Sequence, residues 1–219
     1  MKQLIVLLAL AAPLAQGDKL EDVLNQMDAA ALRFKGMSAS ISYTKVTVIV
    51  DDKDVRNGGI HLLREKGGYK IKIDFTSPEP ESLLLKGGKV EIYHPKINEI
   101  ETFEAGKNRG VIEQFFAVGF GGGGHEISKS YSVALGENEK IGDTMAVKLN
   151  LTPKAPMPGN FTKVEIWLSP TNWTPVQQRF TEKSKDYLEI TYSNVLEGSQ
   201  QESVFSIKTT GKPKTIEHK

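Results

Sequence analysis

The chain has 219 residues and nearly balanced charge, with 28 Lys and Arg against 27 Asp and Glu. This length is that of one domain, and such a balance lacks the basic excess of a nucleic-acid-binding protein. Cysteine is absent from the sequence, which excludes disulfides, a cysteine nucleophile and the cysteine that bacterial lipid anchoring requires.

The N-terminal stretch MKQLIVLLALAAPLAQG, residues 1–17, has the pattern of a secretory signal peptide. Lys2 precedes a short apolar run, Pro13 interrupts it, and small residues lead to Gly17. The run is too short to span a bilayer with ease, and charged residues begin abruptly at Asp18. We therefore expect export and cleavage near Gly17. A cysteine-free exported domain is typical of the bacterial periplasm, so we predict a periplasmic protein without a lipid anchor.

Residues 18–36 are predicted to form an amphipathic helix, with Asp18 as its N-terminal cap and Gly36 as its terminator. Apolar side chains recur here at spacings of three and four, as they do on one face of a helix. They are Leu20, Val23, Leu24, Met27, Ala31 and Phe34.

After this helix the hydrophobic period changes to two. In YKIKIDF, residues 69–75, apolar side chains alternate with charged ones. Such alternation indicates strands with one buried and one solvated face, and therefore an antiparallel sheet. We expect about ten or eleven strands, and a twisted sheet of that size curls, closes or splits into two layers. The candidate segments are 38–50, 58–65, 69–75, 82–86, 89–94, 99–104, 131–136, 146–151, 163–168, 175–182, 187–192 and 203–209.

Two of these segments are apolar at consecutive positions rather than at alternate ones. Residues 83–85 are three leucines, so we expect both faces of that strand to be buried. The same is expected in part of residues 46–50, VTVIV.

Residues 107–124, KNRGVIEQFFAVGFGGGG, interrupt the run of strands. Their apolar residues have roughly helical spacing, which predicts a short helical segment packed on the sheet. The glycines at its end have two interpretations, a phosphate-binding loop or the hinge of an apolar flap. A phosphate loop needs glycines between a strand and a following helix. Here we expect them between a helix and a strand restarting at His125-Glu126, which favours the hinge.

Catalytic and metal-binding patterns are weak. No serine lies in a G-x-S-x-G motif, and carboxylates spaced by two, such as Glu99 and Glu101, are typical of the solvated face of a strand. The histidines have no metal-binding spacing. They are His61, His94, His125 and His218. We therefore predict no catalysis, no metal and no cofactor. The apolar inner face and its flap fit either a container for a hydrophobic ligand or an ordinary packed core.

Several short motifs resemble those of the LolA-type periplasmic lipoprotein carriers. GIHLLR followed by YKI, residues 59–64 and 69–71, is similar to the family's glycine–strand–arginine segment and its next strand. PESLLL, GGKV and YHP, within residues 80–95, and NLTPK, residues 150–154, are also similar. The resemblance spans nearly the whole mature chain. It implies a mainly β (α+β) fold, an incomplete barrel closed by the N-terminal helix and a helical lid at about residues 107–124.

The resemblance also implies a function and a site within a single domain, residues 18–219. Such carriers take the acyl chains of a lipoprotein from an inner-membrane lipoprotein-releasing transporter and hand them to an outer-membrane acceptor, and we expect a monomer. The arginine that fastens the lid corresponds to Arg64. The expected cavity and lid residues are Leu62, Tyr69, Ile71, Leu83, Leu85, Ile92, Phe103, Ile112, Phe115, Phe116 and Phe120, and the expected hinge is Gly119, Gly121, Gly122, Gly123 and Gly124.

Two other functions stay open at this point. The same scaffold could serve as a periplasmic module that senses lipid or lipoprotein and binds a regulatory partner. A hydrolase with an unrecognised site is the third interpretation. A sensor would need a further partner-binding domain, and the pattern of the sequence shows none, so the carrier is favoured.

Overall fold

The computed structural model describes residues 15–104, 106 and 118–218. Within these residues the chain forms two α-helices, α1 (Ala15–Arg33) and α2 (Gly124–Ser130), and thirteen strands. The strands are β1 (Gly36–Thr47), β2 (Asp52–Glu65), β3 (Gly68–Ser77), β4 (Glu81–Lys86), β5 (Lys89–His94), β6 (Glu99–Glu104), β7 (Tyr131–Leu135), β8 (Glu139–Ile141), β9 (Thr144–Pro153), β10 (Phe161–Leu168), β11 (Pro175–Glu182), β12 (Tyr187–Glu197) and β13 (Lys214–His218).

All thirteen strands belong to one unclosed sheet, ordered β13-β6-β5-β4-β3-β2-β1-β12-β11-β10-β9-β7, with β8 paired to β9. Neighbours are antiparallel except β13 and β6, which run parallel. A sheet of so many twisted strands curls, and this one does so without joining its ends. The prediction of a mainly β, incomplete barrel with helices is thereby confirmed.

Helix α1 forms where the predicted apolar stripe is buried. Val23, Leu24, Met27 and Phe34 are all less than a tenth exposed. The bounds differ from the prediction, because the helix begins at Ala15 and ends at Arg33. Gly36 is the first residue of β1, where an added Cβ would lie 2.5 Å from the carbonyl oxygen of Leu62. Its role is therefore close packing between strands rather than helix termination.

Two clusters of buried residues make up the core. The first lies mainly on β1 to β5 and on β12: Phe34, Met37, Ala39, Ile41, Ile60, Leu62, Ile71, Ile73, Phe75, Leu85, Val90, Phe120, Ile190 and Tyr192. The second lies mainly on α1 and β7 to β11: Val23, Met27, Val118, Ile127, Tyr131, Leu149, Leu151, Val164, Ile166, Leu168 and Phe180. Helix α1 contributes Val23 and Met27 to the second cluster, and Phe34, the residue after its end, belongs to the first.

The consecutive apolar segments behave differently from each other. Leu84 and Leu85 are buried and Leu83 is half-buried, which confirms the prediction for both faces of β4. The prediction for residues 46–50 is wrong at its second half. Pairing of β1 with β2 stops at Thr47 and Asp52, and the 3-10 turn between them exposes Ile49 at 91%. Strand propensity does not extend a ladder beyond the point where its hairpin reverses.

The predicted strand 203–209 is also wrong. Residues 202–204 form a single 3-10 turn, and the last strand is β13. The segment is attached by side chains instead of a ladder. Glu202 pairs with Lys70 and Lys86, and the Phe205 side chain is buried. Apolar residues interspersed with serines, as in SVFSI at residues 203–207, produce the same local pattern as a short strand.

The strand predicted to restart at His125 is a helix, α2. The glycine run consequently precedes a helix, so the expected order that argued against a phosphate loop does not hold. The helix has seven residues, which is too short for its period to be read from the sequence. Most of the predicted helical lid, and residues 1–14 of the predicted signal peptide, lie outside the described residues.

Candidate functional site

The inner wall of the curled sheet consists of apolar rows that cross neighbouring strands. Residues paired directly across a ladder share one face of a sheet. One row runs through Met37, Leu62, Ile71, Leu85, Val90 and Phe103, and a second through Ala39, Ile60, Ile73, Leu83 and Ile92. Together they form a continuous apolar surface across β1 to β6.

The structure brings the described members of the predicted cavity together on this wall. Leu62, Ile71, Leu85 and Phe120 belong to the first core cluster, and Tyr69, Leu83, Ile92 and Phe103 pack against it. Ile112, Phe115 and Phe116 lie outside the described residues.

Residues 118–120, which we name the plug, fill the interior in front of this wall. Phe120 is fully buried, and its ring centroid lies 5.0 Å from that of Tyr192 and 6.0 Å from that of Phe34. Val118 packs in the second core cluster. The plug is thus a loop segment placed where the two halves of the core meet, with α1 on its other side.

Three polar side chains hold the backbone of the plug. The Tyr69 hydroxyl donates to the Phe120 carbonyl oxygen at 3.1 Å, and the Gln178 amide donates to the Val118 carbonyl oxygen. The Tyr192 hydroxyl donates to the Gln178 side-chain oxygen at 2.7 Å. Gln178 is fully buried. Burial raises the pKa of Tyr192, so its hydroxyl remains protonated at physiological pH.

Sequence reasoning predicted Tyr69 as part of the wall but missed the polar roles of Gln178 and Tyr192. A signal for Gln178 was present, because it shares a strand face with Phe180 two residues later. Both side chains are fully buried. A glutamine at an apolar position of an otherwise alternating strand marks a buried hydrogen-bonding site.

The glycines after the plug allow close approach to α1. Gly121 has φ +73, and an added Cβ would lie 2.7 Å from the Tyr69 hydroxyl oxygen and 2.9 Å from a ring carbon of Phe34. At Gly124 an added Cβ would lie 2.6 Å from the Leu24 Cα. Close contact therefore requires glycine at both positions, and at Gly121 the positive φ requires it as well. The hinge assigned to Gly119 and residues 121–124 stays a prediction.

His125 joins α2 to α1 through two carboxylates. Its Nδ1 contacts an oxygen of Asp28, and its Nε2 lies 3.0 Å from an oxygen of Glu21. The pKa of His125 is raised above its usual value, mainly by the hydrogen bond to Asp28 and next by the hydrogen bond to Glu21. The backbone N–H of His125 also donates to Asp28 at 3.2 Å. Asp28 therefore ties the start of α2 to the middle of α1.

Arg64 lies beside the plug at the end of α1. Its Nη1 donates to the Ala31 carbonyl oxygen at 2.9 Å, and its backbone N–H donates to the Lys35 carbonyl oxygen at 2.8 Å. It borders an open cleft of about 390 Å³ that is also lined by Leu32 and residues 121–123. Because residues 107–117 lie outside the described part of the chain, the role of Arg64 in fastening the lid stays a prediction.

Two further properties concern only the described part of the chain. Its His, Asp and Glu side chains form no group of three with the geometry to hold a metal ion. Neither of its helices is long and apolar enough to cross a membrane.

An unclosed antiparallel sheet, curled around an apolar interior that a loop segment fills, defines a protein class suited to holding apolar ligands. The family described as outer membrane lipoprotein carrier protein LolA matches residues 33–208. The chain belongs to this LolA family, which confirms the resemblance found in the sequence. No curated protein matches the sequence significantly.

Solved structures share the fold at low identity. MucB is 12% identical with a TM-score of 0.57, over 90% of this chain and 66% of that chain. The complex of Pseudomonas aeruginosa MucA/MucB gives a TM-score of 0.51 at 12% identity, over 87% of this chain and 61% of that chain. LprF from Mycobacterium bovis gives a TM-score of 0.51 at 13% identity, over 82% of this chain and 94% of that chain. The chain thus spans two thirds or less of the MucB chains, and all three likenesses concern the fold alone.

Proposed function

We propose that this protein is a periplasmic carrier that holds the acyl chains of lipoproteins in its apolar interior and moves them from the inner to the outer membrane. Membership of the LolA family supports the carrier class. The observation that carries the proposal is Phe120, a loop residue whose side chain is fully buried against the apolar wall of the curled sheet. An apolar side chain from a loop can leave such a site and be replaced by an apolar ligand without unfolding the sheet.

Departure of the plug has a free-energy cost that the burial of acyl chains must offset. Burial of a side chain such as Phe120 contributes about 1.5–3 kcal/mol. Each hydrogen bond from Tyr69 or Gln178 to the plug adds about 0.5–1.5 kcal/mol. An acyl chain gains about 0.8 kcal/mol for each buried CH₂ group, so a few methylenes offset the contacts of the plug. The cost of unseating the plug lowers the net affinity for acyl chains, which favours release from a carrier that has no energy source.

The remaining features of the proposal concern location and exchange. A cleaved signal peptide at residues 1–17 delivers the protein to the periplasm. An inner-membrane lipoprotein-releasing transporter loads it and an outer-membrane acceptor unloads it. The protein works as a monomer and catalyses no reaction, because the interior offers side chains for shielding rather than a nucleophile and base.

A sensing module is the second candidate, favoured by the fold shared with MucB, which has been solved in complex with MucA. In that case, binding of lipid or lipoprotein would control contact with a protein partner. The chain covers only 66% of the MucB chain. The carrier therefore remains the first proposal.

Native mass spectrometry of the protein purified from its own periplasm tests the two candidates. The carrier predicts a bound mass that, after extraction, is an acylated polypeptide. Bound lipid without polypeptide, together with a co-purifying protein partner, would instead support the sensor. A protein that is empty and takes up no fluorescent fatty-acyl probe would refute both, because the interior would then be an ordinary core.

A further inference from the structure

The polar groups behind the plug are unusual for a wall that is otherwise apolar. Among the described residues, the buried charged side chains are Lys72 and Glu165, and both alternate with the core residues of their strands, on the opposite face of the sheet. Gln178, in contrast, lies fully buried beside the two core clusters, with its amide directed at a backbone carbonyl of the plug. Tyr69 directs its hydroxyl at a second plug carbonyl. The interior therefore presents two neutral donors, and both point at carbonyl oxygens.

These donors restrict what can replace the plug. When residues 118–120 leave, the fully buried amide of Gln178 loses its acceptor, which is costly, and the half-buried Tyr69 hydroxyl loses the Phe120 carbonyl oxygen. A pure hydrocarbon cannot compensate. A ligand with its own carbonyl oxygens can accept both hydrogen bonds while its chains cover the apolar rows.

The spacing of the two plug carbonyls further restricts the class of ligand that can accept both hydrogen bonds. The carbonyl groups of Val118 and Phe120 are separated by the residue Gly119, which places roughly five covalently linked atoms between the two carbonyl carbons. The two ester carbonyl carbons of a diacylglyceryl group are separated by roughly four atoms along the glycerol backbone, a similar reach. The pair of donors thus matches the pair of esters.

The charge of the site argues against a free fatty acid. Tyr69, Gln178 and Tyr192 are all uncharged, and burial raises the pKa of Tyr192, which keeps its hydroxyl neutral. A carboxylate brought beside the fully buried Gln178 would lie among uncharged groups, whereas Tyr69 has Arg64 as its cross-strand neighbour. Neutral ester or amide carbonyls carry no such penalty.

Resting on the proposed function, we infer that Tyr69 and Gln178 form a carbonyl-binding subsite for the two esters of a diacylglyceryl lipid. Tyr192 is the positioning residue, because its hydroxyl fixes the side-chain oxygen of Gln178 and leaves the amide hydrogens directed into the interior. The plug carbonyls occupy the subsite in the empty protein.

The test compares a fluorescent dipalmitoyl glyceryl ester with its dialkyl ether, which has the same chains and no carbonyl oxygens. The mature protein is expected to bind the ester at least tenfold more tightly. Because each lost hydrogen bond corresponds to about a fivefold change in affinity, Gln178→Leu and Tyr69→Phe should each reduce the ester-to-ether ratio by about that factor. The ratio is the readout because both changes also weaken the plug and so alter the affinity for every ligand.

Gln177→Leu is the matched control. Gln177 is the adjacent glutamine of β11, and it faces away from the interior to bond Glu189 and Thr191. Its substitution should leave the ester-to-ether ratio unchanged. If Gln178→Leu does not fold, Tyr69→Phe alone still tests the subsite. Tyr69 is only half-buried, so we expect this variant to fold.

The possible results distinguish failure of the carbonyl subsite from failure of the proposed carrier function. Equal binding of ester and ether by the unaltered protein would overturn the carbonyl subsite while leaving the carrier function in place. A ratio unchanged in both Gln178→Leu and Tyr69→Phe would overturn the assignment to these residues. Binding of neither lipid would overturn the proposed function itself.

Discussion

The Tyr192 hydroxyl donates to the side-chain oxygen of Gln178 at 2.7 Å, and the amide of the same glutamine donates to the carbonyl of Val118. This relay connects β12, β11 and the plug through groups that are nearly or fully buried. It ties the conformation of a loop to the rigid sheet, and each link can be removed separately.

Removal of the first link should destabilise the protein. Tyr192→Phe leaves the Gln178 side-chain oxygen buried without its donor, and we expect the free energy of unfolding to fall by about 1–3 kcal/mol. Urea denaturation followed by circular dichroism measures the change. Tyr43→Phe is the control, because Tyr43 packs against the same first core cluster but has no hydrogen bond from its hydroxyl to another described residue. An equal loss in both variants would mean that the relay contributes nothing.

A side chain at Gly121 should push the plug out of its site. Gly121→Ala places a Cβ 2.7 Å from the Tyr69 hydroxyl at a φ of +73, which we expect to cost about 1–3 kcal/mol of stability. Because the cost applies only while the plug is seated, uptake of a fluorescent acyl probe should become tighter. Gly67→Ala carries comparable backbone strain, at φ +93, but its Cβ would meet nothing within 4 Å. Tighter uptake in the Gly67 variant as well would show that general destabilisation is responsible.

The bridge of His125 to Asp28 and Glu21 should make the contact between α1 and α2 depend on pH. The folded-state pKa of His125 is raised by these carboxylates above its ordinary value of 6.5. The stabilising contribution is therefore fully present below about pH 6.5 and is lost as the pH rises through the higher folded-state pKa. Because the group is exposed, we expect a small effect. Proton-detected NMR titration of the His125 ring measures the pKa, and a value at or below 6.5 would contradict the bridge.

Substitution of Arg64 tests the role implied by the family. Arg64→Leu removes the hydrogen bond to Ala31 at the end of α1, and if Arg64 also fastens the lid, the open form should gain a few-fold in population. More cargo should then remain bound to the periplasmic protein in native mass spectra. Arg64→Lys keeps the charge but loses the planar donor group. Its amount of bound cargo should lie between that of the unaltered protein and that of the leucine variant. Unchanged cargo in the leucine variant would restrict Arg64 to tethering α1.

The parts of the fold that the sequence predicted well are those with a strict period. Residues 69–75 alternate without exception, and Ile71, Ile73 and Phe75 are all buried. The apolar wall could be assembled because nearly every member lies on such a strand. Residues 83–85 were predicted to have both faces buried because three leucines leave no solvated position.

Two of the failures come from contacts between residues that are distant in the sequence. The position of α2 depends on the approach of Gly124 to Leu24, a tertiary contact that no local pattern encodes. Strand β13 pairs in parallel with the distant β6, and its sequence KTIEH has only one large apolar residue. Gln178 was overlooked because its neighbour Gln177 made the pair look like a solvated stretch, although only Gln177 lies on the outer face.

The central claim is that the plug and the acyl ligand occupy the same interior in turn. Hydrogen–deuterium exchange mass spectrometry of the mature protein, with and without a dipalmitoyl glyceryl ester, tests it most directly. We expect faster exchange of the amides of residues 118–121 on binding, while strands β2 and β3 of the wall stay protected or gain protection. Unchanged or slower exchange in residues 118–121, at a ligand concentration that saturates the protein, would show that the plug stays seated and that the claim is wrong.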